Sequence, residues 1–409
     1  MEVIPRPLYL NRLIQWRDRA PIKVVTGVRR CGKSTLLDLF RDYLIAGGVA
    51  PASIISINFE DLAWEHLKDF HALHDYVTRH LVANTMTYVF LDEVQEVPEF
   101  EKAVDSLTLR ENVDIYLTGS NANVMSTELS TLLTGRYVEI SMLPLSLAEY
   151  CVGMGTDTAS SSALAEAYRR YISGSSFPYA LNLVDSAQAR QDYLQGIFNS
   201  ILLKDIVARH RVSDVMMLED VTRFLLDNVG NTLSTTRIAN TLTSAGRGVH
   251  QRTVEKYVGA LSESLLFYQA RRFDIKGKRL LERLEKYYVV DMGLRFAILG
   301  GRGFDAGHVL ENVVYLELIR RGFQAFVGYL GSQEVDFVAT QAGEQLYVQV
   351  SATVRDPAVL DRELAPLKAL PDSYPKLLLT LDDDPTADYD GIRRTNALSW
   401  LVDGGHTAQ

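Results

Sequence analysis

Short apolar runs alternate with amphipathic stretches from Ile22 to about residue 150. Ile22–Val25, Ile54–Phe59, Tyr88–Leu91, Asp114–Thr118 and Tyr137–Ser141 read as strands. Leu36, Leu37, Leu39 and Phe40 give the stretch after the first strand one apolar helical face, and another helix closes at Leu107–Arg110. Strands alternating with helices predict a mostly parallel sheet covered on both faces. The run Cys151–Ser162 is small, polar and glycine-bearing, and reads as a linker or loop. Helical periodicity returns over Ala163–Ile172 and from Ala187 to about Arg209.

From about Met216 the pattern changes. Val221–Val229 is amphipathic, Ser234 is placed to cap a helix over Thr236–Leu242, and a third helix, His250–Leu261, follows the turn Ser244–Gly248. Leu265–Phe273 and Leu280–Val290 are strand-like on either side of the basic turn Lys276-Gly277-Lys278. Three helices and a two-stranded wing predict a winged helix-turn-helix. Its third helix would offer His250, Gln251, Arg252, Lys256 and Tyr257 to a groove, and its wing Arg271, Arg272, Lys276, Lys278 and Arg279. Basic groups on both helix and wing favour DNA as the partner. The last segment reads as a helix over Glu311–Arg321, strands at Ala325–Tyr329, Glu334–Ala339 and Leu346–Val350, a helix over Val359–Leu370 and a strand at Lys376–Thr380.

Composition narrows this only a little. The 409 residues allow two or three domains, with 47% hydrophobic and 23% charged residues as in ordinary soluble proteins. No apolar run approaches the ~20 residues that span a bilayer, and MEVIPRPLYLNRL lacks the apolar core of a secretory signal. Two cysteines, Cys31 and Cys151, make no disulfide framework, so the cytoplasm is the expected address. A net charge of −9 excludes an all-over basic coat but not a local basic face.

The chemistry lies at the strand ends. Gly27 through Thr35, GVRRCGKST, follows the first strand and fits the phosphate-loop pattern G-x-x-x-x-G-K-[ST] without mismatch. Such a loop turns backbone N–H groups and a helix N-terminus toward a polyphosphate. Gly27, Arg30, Gly32, Lys33, Ser34 and Thr35 are therefore the expected ATP-binding residues, with Lys33 on the β- and γ-phosphates and Ser34 on Mg²⁺. Cys31 reads as a small filler of the loop, with sensitivity to oxidation as the alternative. The strand Tyr88–Leu91 ends in Asp92, expected to help hold Mg²⁺, and Glu93, expected to polarise the attacking water. The strand ending at Thr118 leads to Gly119-Ser120-Asn121, where Asn121, or Ser120 in its place, would sense the γ-phosphate.

GVRRCGKST, YVFLDEVQ, YLTGSNA, LTGRYVEISMLPLSLAEY, KYYVVDMGLR and EVDF occur here in the order in which they recur in one family. The chain resembles, over nearly its whole length, the bacterial and archaeal AAA-type ATPases with a C-terminal domain of unknown function. The resemblance implies a P-loop core with a helical lid, DNA-processing work rather than small-molecule phosphorylation, and a homo-oligomer, a hexameric ring foremost. It implies an arginine finger, for which Arg136 of LTGRY is the candidate, and a second sensor, for which Arg209 and Arg211 are weaker ones. It also implies a restriction-endonuclease-like C-terminal domain. Such nucleases gather a helix Glu, a hairpin Asp and then Glu-x-Lys around Mg²⁺. Glu311 and Asp336 fill the first two places, but Gln349 and Ser351 stand where Glu and Lys belong, so too few carboxylates remain and no nuclease activity is expected.

These readings give an α/β chain with four parts. An AAA-type parallel-sheet core occupies 1–150, a helical lid 151–215, a winged helix 216–290 and a catalytically inactive nuclease-like domain 291–409. The expected function is an ATP-hydrolysing motor on duplex or branched DNA. The competing reading is an ATP-switched protein-interaction module.

Overall fold

The computed structural model describes residues 3–120, 135–301 and 305–403, and of 281–283 the backbone alone. The chain divides into two compact units, Met1–Leu143 with Glu263–Leu265, and Pro144–Ser262 with Leu266–Gln409.

The first unit is built on a wholly parallel five-stranded sheet in the order β2-β3-β4-β1-β5. Its strands are β1 (Ile22–Thr26), β2 (Ile54–Asn58), β3 (Thr87–Asp92), β4 (Val113–Gly119) and β5 (Tyr137–Ser141). β1 and β3 are buried at every position, as strands covered on both faces must be. On one face Val24, Ile57, Val89, Leu91 and Leu117 pack with Leu73 of α3 (Phe70–Arg79) and Leu107 of α4 (Phe100–Leu107). On the other, Phe90 and Tyr116 meet Phe40 of α2 (Lys33–Ala46), with ring centroids 6.1 and 5.0 Å apart. α1 (Pro7–Trp16) packs on α2.

One charge lies inside this core. Lys23, in the middle of β1, pairs with Asp114 on β4, and both are essentially inaccessible. Lys23 Nζ also donates to Arg19 O at 2.6 Å, while Asp114 accepts from Tyr116 OH at 2.8 Å and Asp18 N at 2.9 Å. A buried pair survives only when its remaining lone pairs and protons are also satisfied, as they are here.

The second unit carries a nine-stranded mixed sheet in the order β13-β14-β12-β11-β10-β9-β7-β8-β6. Before it come the helices α5 (Leu147–Met154), α6 (Ser161–Gly174) and α7 (Ala187–Ser200), the last widening into π-helical turns over Ile201–Ala208. The expectation of a loop over Cys151–Ser162 is corrected at both ends, where Cys151–Met154 and Ser161–Ser162 are helical. Ser146 and Glu149 form a reciprocal capping box that starts α5, and Gly155 in the left-handed region ends it.

Next come α8 (Val215–Asp227), β6 (Thr232–Leu233), α9 (Thr235–Ser244), α10 (Gln251–Glu263), β7 (Phe267–Asp274) and β8 (Arg279–Val289). Ser234 caps α9 by accepting from Arg237 N, and β7 and β8 form the expected antiparallel hairpin. β7 also pairs in parallel with β9 (Gln324–Leu330), so one sheet runs on through β10 (Gln333–Gln341), β11 (Glu344–Ser351), β12 (Lys376–Thr380), β13 (Ala387–Tyr389) and β14 (Ile392–Asn396).

The helices of this part are α11 (Met292–Leu299), α12 (Ala306–Arg320), α13 (Pro357–Lys368) and α14 (Ala397–Val402). α8 and α12 begin ahead of their apolar periodicity because Asp214 and Asp305 cap them. Asp291 joins α11 to the end of α6. It accepts from Ser176 N and Ser176 Oγ, both at 2.6 Å, and from Leu294 N at 2.5 Å, and a Cβ on Gly293 would collide with the Ser175 backbone. Among the described residues no helix is long and apolar enough to cross a membrane.

Removing Lys23 strands Asp114 without its cation in the core. Lys23→Ala should therefore cost roughly 3–5 kcal/mol, whereas Lys23→Met with Asp114→Leu should recover most of it. Urea unfolding midpoints of the three proteins check this; a mild loss in Lys23→Ala would mean that Asp114 finds other compensation.

Candidate functional site

All the described parts of the phosphate-loop site lie at the C-terminal ends of the neighbouring strands β3, β4 and β1 and of the adjoining β2. This is where an open parallel sheet exposes its loops. A Cβ on Gly27 would collide with Met142 O and come within 2.7 Å of Cys31 Sγ, so only glycine lets the loop close here. Arg30 and Gly32 take φ of 70° and 104°, which curls successive N–H groups toward one concavity before α2 begins at Lys33. Buried Arg6 braces the loop from behind, with Nη1 on Cys31 O at 3.1 Å and Nη2 on Leu143 O at 2.6 Å. Cys31 is fully buried and burial pushes its thiol up, which suits a filler rather than a redox sensor.

Lys33 is nearly inaccessible. Its Nζ donates to Gly27 O at 3.1 Å and lies 3.4 Å from Glu93 Oε1. Asp92 is buried at the end of β3, hydrogen-bonded by Ser34 and Thr118 and, at 3.1 Å, by Asn58 Nδ2. Burial raises its carboxyl above the usual range, and Ser34, Thr118 and Lys33 offset part of that rise. Glu93 behaves oppositely. Burial acts to raise it, but Lys33, the Gln95 amide and Arg29 outweigh burial and hold it below the usual carboxylate range. Its backbone sits at φ 53°, anchored by Glu93 N donating to Thr118 Oγ1 at 2.9 Å. Gln95 Nε2 bonds Glu93 and reaches Ser120 Oγ at 3.5 Å.

Asn58, Gln95 and Thr118 are site residues that the sequence reading missed; a polar side chain at a strand end carries no spacing signal of its own. Ser120 is buried beside the site, Thr35 is on the exposed side of the first turn of α2, and Asn121 lies outside the described residues. Arg136 O accepts from Ile22 N at the opposite end of β1, roughly 13 Å from Thr26 at the usual strand rise, and Arg136 Nη1 pairs with Asp105 Oδ1 at 2.8 Å. Arg209 and Arg211 are exposed in the second unit.

The residues present suit a nucleotide with its metal. The loop is closed to any Cβ at Gly27, a buried ammonium meets a carbonyl and a carboxylate, and the hydroxyl of exposed Ser34 beside the buried Asp92 carboxylate offers two oxygens of the kind Mg²⁺ takes.

On the second unit, Arg252 and Lys256 are exposed on α10, as are Arg271, Lys276, Lys278 and Arg279 on the hairpin. Two expectations are corrected. Tyr257 is buried with its OH directed to Asp214 O at 3.4 Å, because its position on α10 belongs to the apolar stripe with Val254, Val258 and Leu261. Arg272 is only half-exposed, and its guanidinium stacks on the Tyr329 ring 3.6 Å from the centroid.

Glu311, Asp336 and Gln349 meet in one buried cluster, but its composition differs from the sequence count. Glu334 adds a third carboxylate, and the position between the three is taken by Lys286 of β8. Its Nζ lies 2.8 Å from Glu311 Oε1, 2.8 Å from Glu334 Oε1 and 3.9 Å from Asp336 Oδ1. Tyr288 OH donates to Glu311 at 2.5 Å and Val350 N to Asp336 Oδ2 at 2.8 Å. Gln349 spends its amide on Asp336 N at 3.3 Å and Glu363 Oε2 at 2.9 Å, while Ser351 Oγ donates to Thr353 O at 3.1 Å, within its own turn. Among the described residues no group of three or more His, Cys, Asp or Glu stands in a geometry that would hold a metal ion. Burial acts to lower the Lys286 ammonium, but Glu311, Asp336 and Glu334 outweigh it and raise it. Burial and neighbouring Glu311 push Asp336 well above the usual carboxylate range, against the pull of Lys286.

Comparison with known proteins agrees with the first unit. Residues 19–151 match an AAA domain, and residues 165–305 match a domain of unknown function (DUF8612). An uncharacterized protein of Haemophilus influenzae is 39% identical over 98% of this chain and 99% of its own length. An uncharacterized protein of Methanocaldococcus jannaschii is 27% identical over 85% of this chain and 78% of its own. Among solved structures, the Walker-type ATPase PABY2304 of Pyrococcus abyssi superposes with a TM-score of 0.50 at 15% identity, over 73% of this chain and 96% of that one.

Because the folded state holds Asp336 above its unfolded value, near 3.9, the protonated form is the one favoured by folding. Its contribution is full below about pH 4 and is lost as pH rises through the folded value. Asp336→Asn should therefore gain in thermal midpoint relative to wild type as pH rises above about 4. Melting curves across that range check the sign; parallel curves would show that Asp336 stays ionised.

Proposed function

Because the chain belongs to the family of AAA-type P-loop ATPases with a C-terminal domain of unknown function, we propose that it uses ATP hydrolysis to do mechanical work on DNA. The observation that carries the ATPase half is the convergence of Lys33, Ser34, Asp92 and Glu93 at adjoining strand ends. Ser34 and Asp92 would hold Mg²⁺, which when bound neutralises charge on the phosphates. Lys33 supplies a point charge that the loop N–H groups alone cannot replace. When Lys33 turns from Glu93 to the phosphates, Glu93 loses its ammonium partner and keeps Gln95, leaving a carboxylate free to accept a proton from water. Gln95, Asn58 and Thr118 position the two acids.

The DNA half rests on the winged-helix order of α8, β6, α9, α10, β7 and β8, and on the exposed Arg252, Lys256, Arg271, Lys276 and Lys278. The alternative, an ATP-switched protein-binding module, draws support from Arg272, whose stacking on Tyr329 makes part of the hairpin structural. The C-terminal sheet reads as a restriction-endonuclease-like domain without nuclease activity. What supports this is Lys286, whose ammonium stands among the carboxylates where a divalent cation would have to sit. Arg136 is too far from its own phosphate loop to serve it and would act on a neighbouring subunit's nucleotide in a ring.

ATPase rates with single-stranded, duplex and four-way-junction DNA test the motor reading. The expected result is DNA stimulation that weakens as salt rises, absent from Glu93→Gln although that variant still binds ATP. DNA-independent turnover would favour the protein-binding alternative. For the ring, mixing Arg136→Ala with Lys33→Ala chains should restore part of the activity at mixed interfaces; two inactive proteins that stay inactive together would make Arg136 a local partner of Asp105.

A further inference from the structure

The wing turn does not stand alone. Lys276 and Lys278 border an open cleft of about 510 Å³ whose far wall is the loop before β12, contributing Pro371, Asp372 and Tyr374. Both lysines are exposed and form no ion pair among the described residues. Tyr374 is 44% exposed, and it is held rather than loose. The buried Tyr347 meets it edge-on at 6.4 Å and 60°. Asp372, the one carboxylate in the cleft wall, is already engaged by Tyr347 OH at 2.7 Å and Tyr374 N at 3.4 Å.

A fixed aromatic face beside two unpaired ammonium groups is the combination that binds single-stranded nucleic acid, with the base stacked on the ring and the backbone on the cations. A base inside a duplex has no free face to offer. The cleft is also of the size that takes one small ligand group. We propose that this cleft captures one unpaired base at a DNA end or branch, stacked on Tyr374, with Lys276 and Lys278 on the flanking phosphates. The proposal rests on the DNA reading above and narrows it to strands with unpaired bases.

The experiment uses the full chain and fluorescence anisotropy on two DNAs of equal length, one blunt duplex and one with splayed single-stranded ends. A 2-aminopurine in the splayed arm reports stacking. Wild type should bind the splayed DNA more tightly and quench the 2-aminopurine. Tyr374→Ala should weaken splayed-end binding about ten-fold and abolish the quench, leave blunt-duplex binding unchanged, and keep the wild-type melting temperature. Tyr374→Phe should retain both signals, because the ring and not the hydroxyl stacks. Lys276→Gln with Lys278→Gln should flatten the salt slope by about 0.7 per lost phosphate contact. Equal losses on both DNAs, or no loss in Tyr374→Ala while wild type still binds duplex, would overturn the cleft and leave the DNA reading standing. No DNA binding by wild type would overturn both.

Discussion

A lysine ammonium taken out of water must be surrounded by acceptors, and in the second unit one lysine organises its neighbourhood for that reason. Lys286 belongs to the β7–β8 hairpin, while Glu311 comes from α12 and Glu334 and Asp336 from β10. Burying this cation is tolerable only if all three elements arrive together. Burying Glu311 and Asp336 beside the partly buried Glu334 is tolerable only if the cation does. The pairing of β7 with β9 brings the hairpin to the later strands, and the charges fix how it sits there. The β9–β10 register shifts between Val335 and Val338, and within that stretch the Asp336 carboxylate meets Val350 N as well.

The first unit solves a related problem with the opposite outcome. There the buried pair of Lys23 and Asp114 is saturated by Arg19, Tyr116 and Asp18, and nothing in it is free to change partners. At the strand ends the pairing of Lys33 with Glu93 is looser, with 3.4 Å between them. The first unit therefore carries one ion pair locked by its neighbours and one held more loosely.

The sheet and the phosphate-loop motif were legible because the physics there is local. A strand, a glycine turn and a helix N-terminus must follow each other in sequence, so GVRRCGKST states the loop outright, and Asp92-Glu93 lies one residue beyond an apolar run. Asn58 and Thr118 were not legible, since each meets Asp92 only through the sheet order. The helix over Leu147–Met154 was obscured by Gly153 and Gly155, although its start, Ser146 with Glu149, was written upstream. KYYVVDMGLR marked itself by recurrence without saying why. In the fold Lys286 and Tyr288 hold Glu311, Asp291 holds Ser176, and Gly293 admits the Ser175 backbone. The carboxylate count at the C-terminal cluster missed Glu334, because a nuclease pattern looks only at the places it names.

The parallel seam between β7 and β9 has a practical consequence for anyone dividing the protein. A chain ended after residue 290 would keep the hairpin but lose the strand that covers its edge, leaving β7's N–H and C=O groups bare along one side. Such an edge recruits other chains, so the fragment would tend to aggregate whatever its sequence-based boundary suggests. The complementary fragment would carry Glu311 and Asp336 buried beside the partly exposed Glu334 with the Lys286 counter-charge removed, and it would swell there to admit water.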